Sequence, residues 1–195
     1  MMHTVRLDDV PSQPGRNGGG STQELLAWPA AAEWVLRISV ARIASNGPFS
    51  AYPGIERWFA VLGGEGVVMR FAQRRALLSA GSEPLRFDGA APPLCELLDG
   101  PTQDLNLMVR SDAGRGGMAL VAPGQDWLSS AALRAVYTAE AATLHVAGSE
   151  ALELPAAALA FSDHAADQVW RLQSADGAAR AWWLQVKVRT PGGAP

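Results

Sequence analysis

Side chains suited to gripping a small acid cluster in three glycine-bearing stretches, residues 16–24, 47–57 and 99–106. Arg57 presents a planar guanidinium fork, which matches a carboxylate through two hydrogen bonds. Gly18, Gly19 and Gly20 put successive backbone N–H groups in one loop, a geometry that can make an anion-binding concavity. No Gly-Lys-Ser/Thr follows them, so they do not form a phosphate-binding P-loop. Asn17, Thr22 and Glu24 stand at the two ends of that loop and offer donors and an acceptor. Asp104, Asn106 and Met108 share one face of a strand, while Leu105, Leu107 and Val109 share the other. Polar groups on an inward face are costly to bury unless something partners them. The three stretches are therefore expected to meet in one polar pocket for a small anion.

Arg57 is the expected carboxylate ligand. Asn17, Thr22, Asp104 and Asn106 are expected to orient the other polar atoms, with Glu24, Arg37, Ser39, Ser50 and Thr102 as further contacts. Phe49, Tyr52 and Met108 would be apolar walls. A structural alternative stands beside this: Arg37 or Arg57 pairs with Asp104 or Glu96, as buried ion pairs do without any ligand. An enzyme reading also stays open, with Glu24 or Asp104 as the base of a metal-free isomerase or lyase acting on a small acid. Nucleophilic catalysis is not expected, because Ser39 and Ser50 have no histidine near them in sequence and Cys95 lies in an apolar strand. A metal site is not expected either. Such a site needs several ligands converging on one point, and the histidines are only His3, His145 and His164.

Strands must position these groups. Residues 34–41, 57–62, 67–71, 94–98 and 104–109 alternate or run apolar, with turn residues between them. Residues 63–66 carry three glycines and predict a hairpin joining two of these strands. The second half continues with short candidates at 118–121, 136–138, 143–146, 151–154, 170–173 and 180–189. Residues 127–135 are the one helix candidate, and 156–161 reads as a strand or a single helical turn. Residues 111–117 look like a link between halves, and the tail 190–195 is expected to be disordered. Trp182 and Trp183 are adjacent on a strand, so one of them is expected at an exposed interface. This is the pattern of an antiparallel sandwich or barrel.

The bulk properties narrow the partners. The net charge of −3 across 195 residues argues against a nucleic-acid binder. A single cysteine excludes an intrachain disulfide and fits a reducing compartment. No apolar run of membrane-spanning length and no signal peptide is present, so a soluble cytoplasmic protein is expected.

Four motifs taken together resemble the HutD/Ves family. They are Asn17-Gly18-Gly19-Gly20 with Thr22 and Glu24; Arg37-Ile38-Ser39-Val40-Ala41; Gly47-Pro48-Phe49-Ser50 with Pro53-Gly54 and Arg57; and Asp99-Gly100-Pro101-Thr102 with Asp104-Leu105-Asn106-Leu107-Met108. They follow the family's order from about Val5 to Arg110. One departure is clear: the family usually has Trp-Lys before the glycine run, where this chain has Gly15-Arg16, which alters the pocket rim. The resemblance implies an all-β fold of two fused cupin-like barrels with little helix, residues 1–112 and 113–190. The pocket would lie in the first barrel. The second would be mainly structural or an oligomer interface, as in a homodimer. The resemblance further implies a regulatory link to bacterial histidine utilisation. The ligand would be a small anionic metabolite such as urocanate or a formylglutamate-like acid, with no cofactor, nucleic acid or membrane involved.

Overall fold

The computed structural model describes residues 1–16, 18–122, 124–164, 167–174 and 180–189. Its strands, in chain order, are β1 (His3–Arg6), β2 (Gln13–Pro14), β3 (Gly20–Trp28), β4 (Leu36–Ile43), β5 (Gly47–Pro48), β6 (Ile55–Gly63), β7 (Val67–Arg70), β8 (Arg75–Leu78), β9 (Leu85–Asp88) and β10 (Leu94–Leu97). They continue with β11 (Thr102–Arg110), β12 (Gly114–Leu120), β13 (Asp126–Trp127), β14 (Leu133–Thr138), β15 (Ala142–Val146), β16 (Leu152–Leu154), β17 (Ala158–Ser162), β18 (Trp170–Gln173) and β19 (Ala181–Val188). Among the described residues the only helical piece is a single 3-10 turn, Leu7–Asp9, and no helix is long and apolar enough to cross a membrane.

Two compact units divide the chain: Val10–Gly116, and Met1–Asp9 together with the chain from Gly117 onward. The boundary read from sequence at 112/113 falls close to this division, but the N-terminus does not follow it. His3 to Arg6 pair antiparallel with Phe161 to Ala158 in the far half, and Leu7 N–H donates to Ala157 O at 2.9 Å. Chain order alone carries no signal for such a long-range strand addition.

Val10–Gly116 holds a six-stranded sheet, β2-β3-β4-β11-β6-β9, and a four-stranded sheet, β5-β10-β7-β8. Phe59, Val61 and Phe87 of the larger sheet pack with Val67, Met69, Leu78 and Cys95 of the smaller. Register then dictates what else faces inward. Asn106 pairs with Phe59 and Ser39, Asp104 with Val61 and Ala41, and Met108 with Arg57 and Arg37. Because side chains alternate along a strand, all of these share the inner face with Phe59 and Val61. Leu105, Leu107 and Val109 point to the opposite face, where they too are buried.

The other unit repeats the plan with sheets β1-β17-β14-β19-β12 and β13-β18-β15-β16. Val136, Ala160 and Trp183 of the first pack with Leu144, Leu154, Trp170 and Leu172 of the second. The all-β, cupin-like expectation holds for both units, though each is a pair of sheets with free edges rather than a closed barrel.

Several local expectations are corrected. Residues 63–66 do not close a hairpin, since β6 and β7 belong to different sheets. The turn carries the chain across the sandwich, and Gly66 (φ 104°) lies so close to β8 that an added Cβ would sit 2.2 Å from Leu78 O. Residues 127–135 are not helical. A polar turn held by Ser129, whose hydroxyl accepts from Ala131 N–H at 3.1 Å, separates β13 from β14. Long-range pairing of β14 with β17 and β19 overrides the local preference. Residues 158–161 lie in strand β17 and 156–157 form the bend before it, and the link at 111–117 contains the start of β12. Trp182 and Trp183 are both buried. The tail 190–195 lies outside the described residues.

Candidate functional site

A cavity of about 130 Å³ opens in Val10–Gly116, on the polar side of its inner face. At about 30 Å³ per water that volume holds roughly four waters, the scale of a small carboxylic acid. Arg57 of β6, Asp104, Asn106 and Met108 of β11, and Arg37 and Ser39 of β4 line it, with Thr22 of β3. Phe49, Ser50 and Tyr52 close it from the loop before β6. That loop is latched to Gly89: Tyr52 N–H donates to Gly89 O at 2.7 Å and Gly89 N–H to Ile55 O at 2.8 Å. Only glycine permits this approach, because an added Cβ would stand 2.5 Å from Tyr52 O.

Arg57 is the centre of the site. Its guanidinium lies 5.1 Å from the ring centroid of Phe49, 5.1 Å from that of Phe87 and 5.6 Å from that of Tyr52. Such an aromatic cage favours a cation electrostatically and fixes its plane. Nη2 donates to Asn106 Oδ1 at 3.1 Å and Nη1 to Ser50 O at 3.4 Å, while Nε has no partner among the described residues. Burial lowers its pKa, against which the charges of Asp104 and Tyr52 act. A guanidinium nonetheless stays protonated in proteins.

Asn106 links this cation to Asp104. Its amide oxygen accepts from Arg57 and its amide nitrogen donates to Asp104 Oδ2. Asp104 Oδ1 is buried without a partner among the described residues. Burial pushes the Asp104 carboxyl up to about 8, more than the Arg57 charge and the Asn106 hydrogen bond pull it down. At neutral pH it therefore carries a proton and can donate. Cys95, also on the wall, is a thiol pushed up to about 12, chiefly by burial, and is no nucleophile at neutral pH.

Of the residues singled out from sequence, Thr22, Arg37, Ser39, Phe49, Ser50, Arg57, Asp104, Asn106 and Met108 are brought together around the cavity. Glu24 and Thr102 are not among its lining residues, and Asn17 lies outside the described residues. Glu24 pairs with Arg37 instead. The ion pairs proposed as the structural alternative are not the ones formed: Glu96 pairs with Arg70 at 2.7 Å. Thr102 is fully buried and its hydroxyl donates to Gly66 O at 3.2 Å, which ties β11 to the 63–66 turn. Thr102→Val is accordingly expected to lower stability by about 1 kcal/mol, the net worth of one such bond. Calorimetric titration of the variant should show acid affinity unchanged.

Sequence reasoning missed two contributors. Phe87, on β9, completes the cage around Arg57. Arg16 reaches the cavity mouth, its guanidinium 5.1 Å from the Tyr52 ring centroid. The only signal for Arg16 was a cation beside the glycine loop, which by itself reads as a solvated charge. Among the described residues no cluster of three His, Cys, Asp or Glu side chains is arranged to hold a metal.

The family model HutD matches residues 7–181. The chain belongs to the HutD family. It is 36% identical over 116 residues to protein Ves of Cronobacter sakazakii, a match covering 58% of this chain and 64% of that one. A Pseudomonas putida protein from the hutC 3′ region is 29% identical over 109 residues, covering 55% and 57%. The matched stretch thus spans under two thirds of the curated relatives' length, while structural likeness extends over nearly the whole chain. HutD from Pseudomonas fluorescens SBW25 superposes with a TM-score of 0.83 at 24% identity, over 97% of this chain and all of that one. A conserved protein of unknown function from Pseudomonas aeruginosa PAO1 gives 0.87 at 25%, with the same coverage. An oxalate decarboxylase from Lactobacillus farciminis gives 0.61 at 11% over 96% of this chain and 86% of that one, which places the HutD fold among cupin-like proteins. The P. putida relative ties the family to a histidine-utilisation gene region.

Proposed function

We propose that this HutD-family protein binds a small carboxylate metabolite in the Val10–Gly116 cavity and serves a regulatory role in histidine utilisation. The observation that carries the reading is the pairing of Arg57 Nε and Asp104 Oδ1. Both are buried, both lack a partner among the described residues, and the residues that carry them, Arg57 and Asp104, line one cavity. A carboxylate needs a cation and donors. Arg57 supplies the cation, and a protonated Asp104 supplies a donor where an ionised one would repel. The aromatic cage holds the guanidinium in place before the acid arrives, which lowers the ordering cost of binding.

Binding without turnover is the better reading of this lining. Asp104 holds its proton at neutral pH and is not a resting base there, while Glu24 is engaged by Arg37. The genomic setting of the P. putida relative makes acids of the histidine-degradation route the first ligands to try. The HutD structure from P. fluorescens is itself described as a formate condition.

The test is a thermal-shift screen with histidine, urocanate, glutamate and formylglutamate, each followed by chromatography of the acid. A ligand at about 100 times its dissociation constant stabilises by roughly 2.7 kcal/mol, an easily read shift. A shift with the acid recovered unchanged supports a binding protein. Consumption of the acid supports the isomerase or lyase reading, and no shift with any of the four contradicts the pathway ligand.

A further inference from the structure

Two guanidiniums share the Tyr52 ring. Arg57 lies 5.6 Å from its centroid on the cavity floor, and Arg16 lies 5.1 Å from it at the mouth. Both side chains line the cavity. They differ in what surrounds them: Arg57 is caged and buried, whereas Arg16 is exposed. Of the remaining cations at this cavity, one is paired and the other is turned away. Arg37 is neutralised by Glu24. Arg42 pairs in register with Gln103, so strand alternation sends its side chain to the face opposite Ala41 and Asp104. The lining therefore presents one buried positive group and a second, exposed one at the same tyrosine ring.

We propose that Arg16 is a specificity-determining residue that reads a second carboxylate, so that the preferred ligand is a short dicarboxylic acid. This inference rests on the reading that Arg57 holds a first carboxylate. The floor group gives the site its affinity for any acid, because it is desolvated and caged. Arg16 adds discrimination among acids. It stays in contact with water, so its contribution is that of a solvent-exposed ion pair, about fivefold in affinity. Salt screens it, and the floor contact is screened much less.

Matched acids of equal carbon number separate the two contributions: succinate against butyrate, and glutarate against valerate. Isothermal titration at low salt should show the better diacid binding about fivefold more tightly than its monoacid. Arg16→Gln should bring the diacid down to the monoacid's affinity and leave the monoacid unmoved. Arg16→Lys should keep most of the preference, since a positive charge remains at the mouth. An exposed side chain is replaced in both variants, and a thermal melt confirms that each is folded. Equal binding of monoacid and diacid by the wild type, or a diacid preference that survives Arg16→Gln, would overturn the inference and leave the Arg57 reading standing. Failure of all four acids to bind the wild type would remove the Arg57 reading itself.

Discussion

Arg57→Met should abolish acid binding while leaving the protein folded. Removing one member of a buried charge contact typically costs 2–5 kcal/mol, so affinity should fall by at least about 30-fold and the ligand-induced thermal shift should vanish. The unliganded protein should not suffer in proportion. Arg57 is enclosed by Phe49, Tyr52 and Phe87, and its Nε is unsatisfied among the described residues. A methionine fits an aromatic surround, and the buried Asn106 Oδ1 that loses its donor costs about 1–3 kcal/mol, too little to unfold the protein. A structural arginine gives the opposite pattern, with stability lost and the acid response intact. Titration calorimetry paired with melting curves distinguishes the two.

Asp104 should give the protein a stability that declines with rising pH. In the unfolded chain this carboxyl ionises near 3.8, and in the folded protein it does so at about 8. Between those values the folded state holds a proton that the unfolded state has released. The contribution is therefore whole below the lower value, is lost as pH climbs through the window, and stays lost above it. The shift corresponds to a cost on the order of a few kcal/mol at the alkaline end, less than a dry interior would exact because the group borders a cavity. Asp104→Asn should flatten the slope, so that the variant gains on the wild type between pH 5 and about 8 in denaturant titrations. Binding follows the same proton. Above pH 8 the ionised Asp104 faces the ligand's own charge, and wild-type affinity should fall by up to about tenfold per pH unit. The Asn variant should keep its affinity at pH 9. A wild type whose stability and affinity are flat across this range would place the Asp104 proton elsewhere.

The grouping of the site was legible because strand alternation is a local signal. Asp104, Asn106 and Met108 stand two residues apart, as do Arg37 and Ser39, and register then brought those two sets side by side. What sequence could not supply was the partner across the fold. Thr102 has the polarity of a ligand contact, yet its hydroxyl is spent on Gly66 O, a carbonyl 36 positions away. Glu24 looked like a pocket acceptor, but a β-bulge between Glu24 and Leu26 accompanies its pairing with Arg37. The 63–66 glycines advertised a turn without revealing that it crosses between sheets. The 127–135 segment had a helix former's composition, and long-range ladders on both edges of β14 overruled it. Phe87 reached the cage only because β9 pairs with β6, placing it opposite Arg57.

The account turns on a small acid lying between Arg57 and a proton-bearing Asp104 inside one unit of the fold. Crystals grown with the tightest-binding acid at pH 7 test it directly. The expected result is a carboxylate in the cavity, its oxygens within about 3 Å of Arg57 and Asp104 Oδ1. Density for the acid only on the outer surface, with Arg57 and Asp104 solvated by water alone, would contradict it.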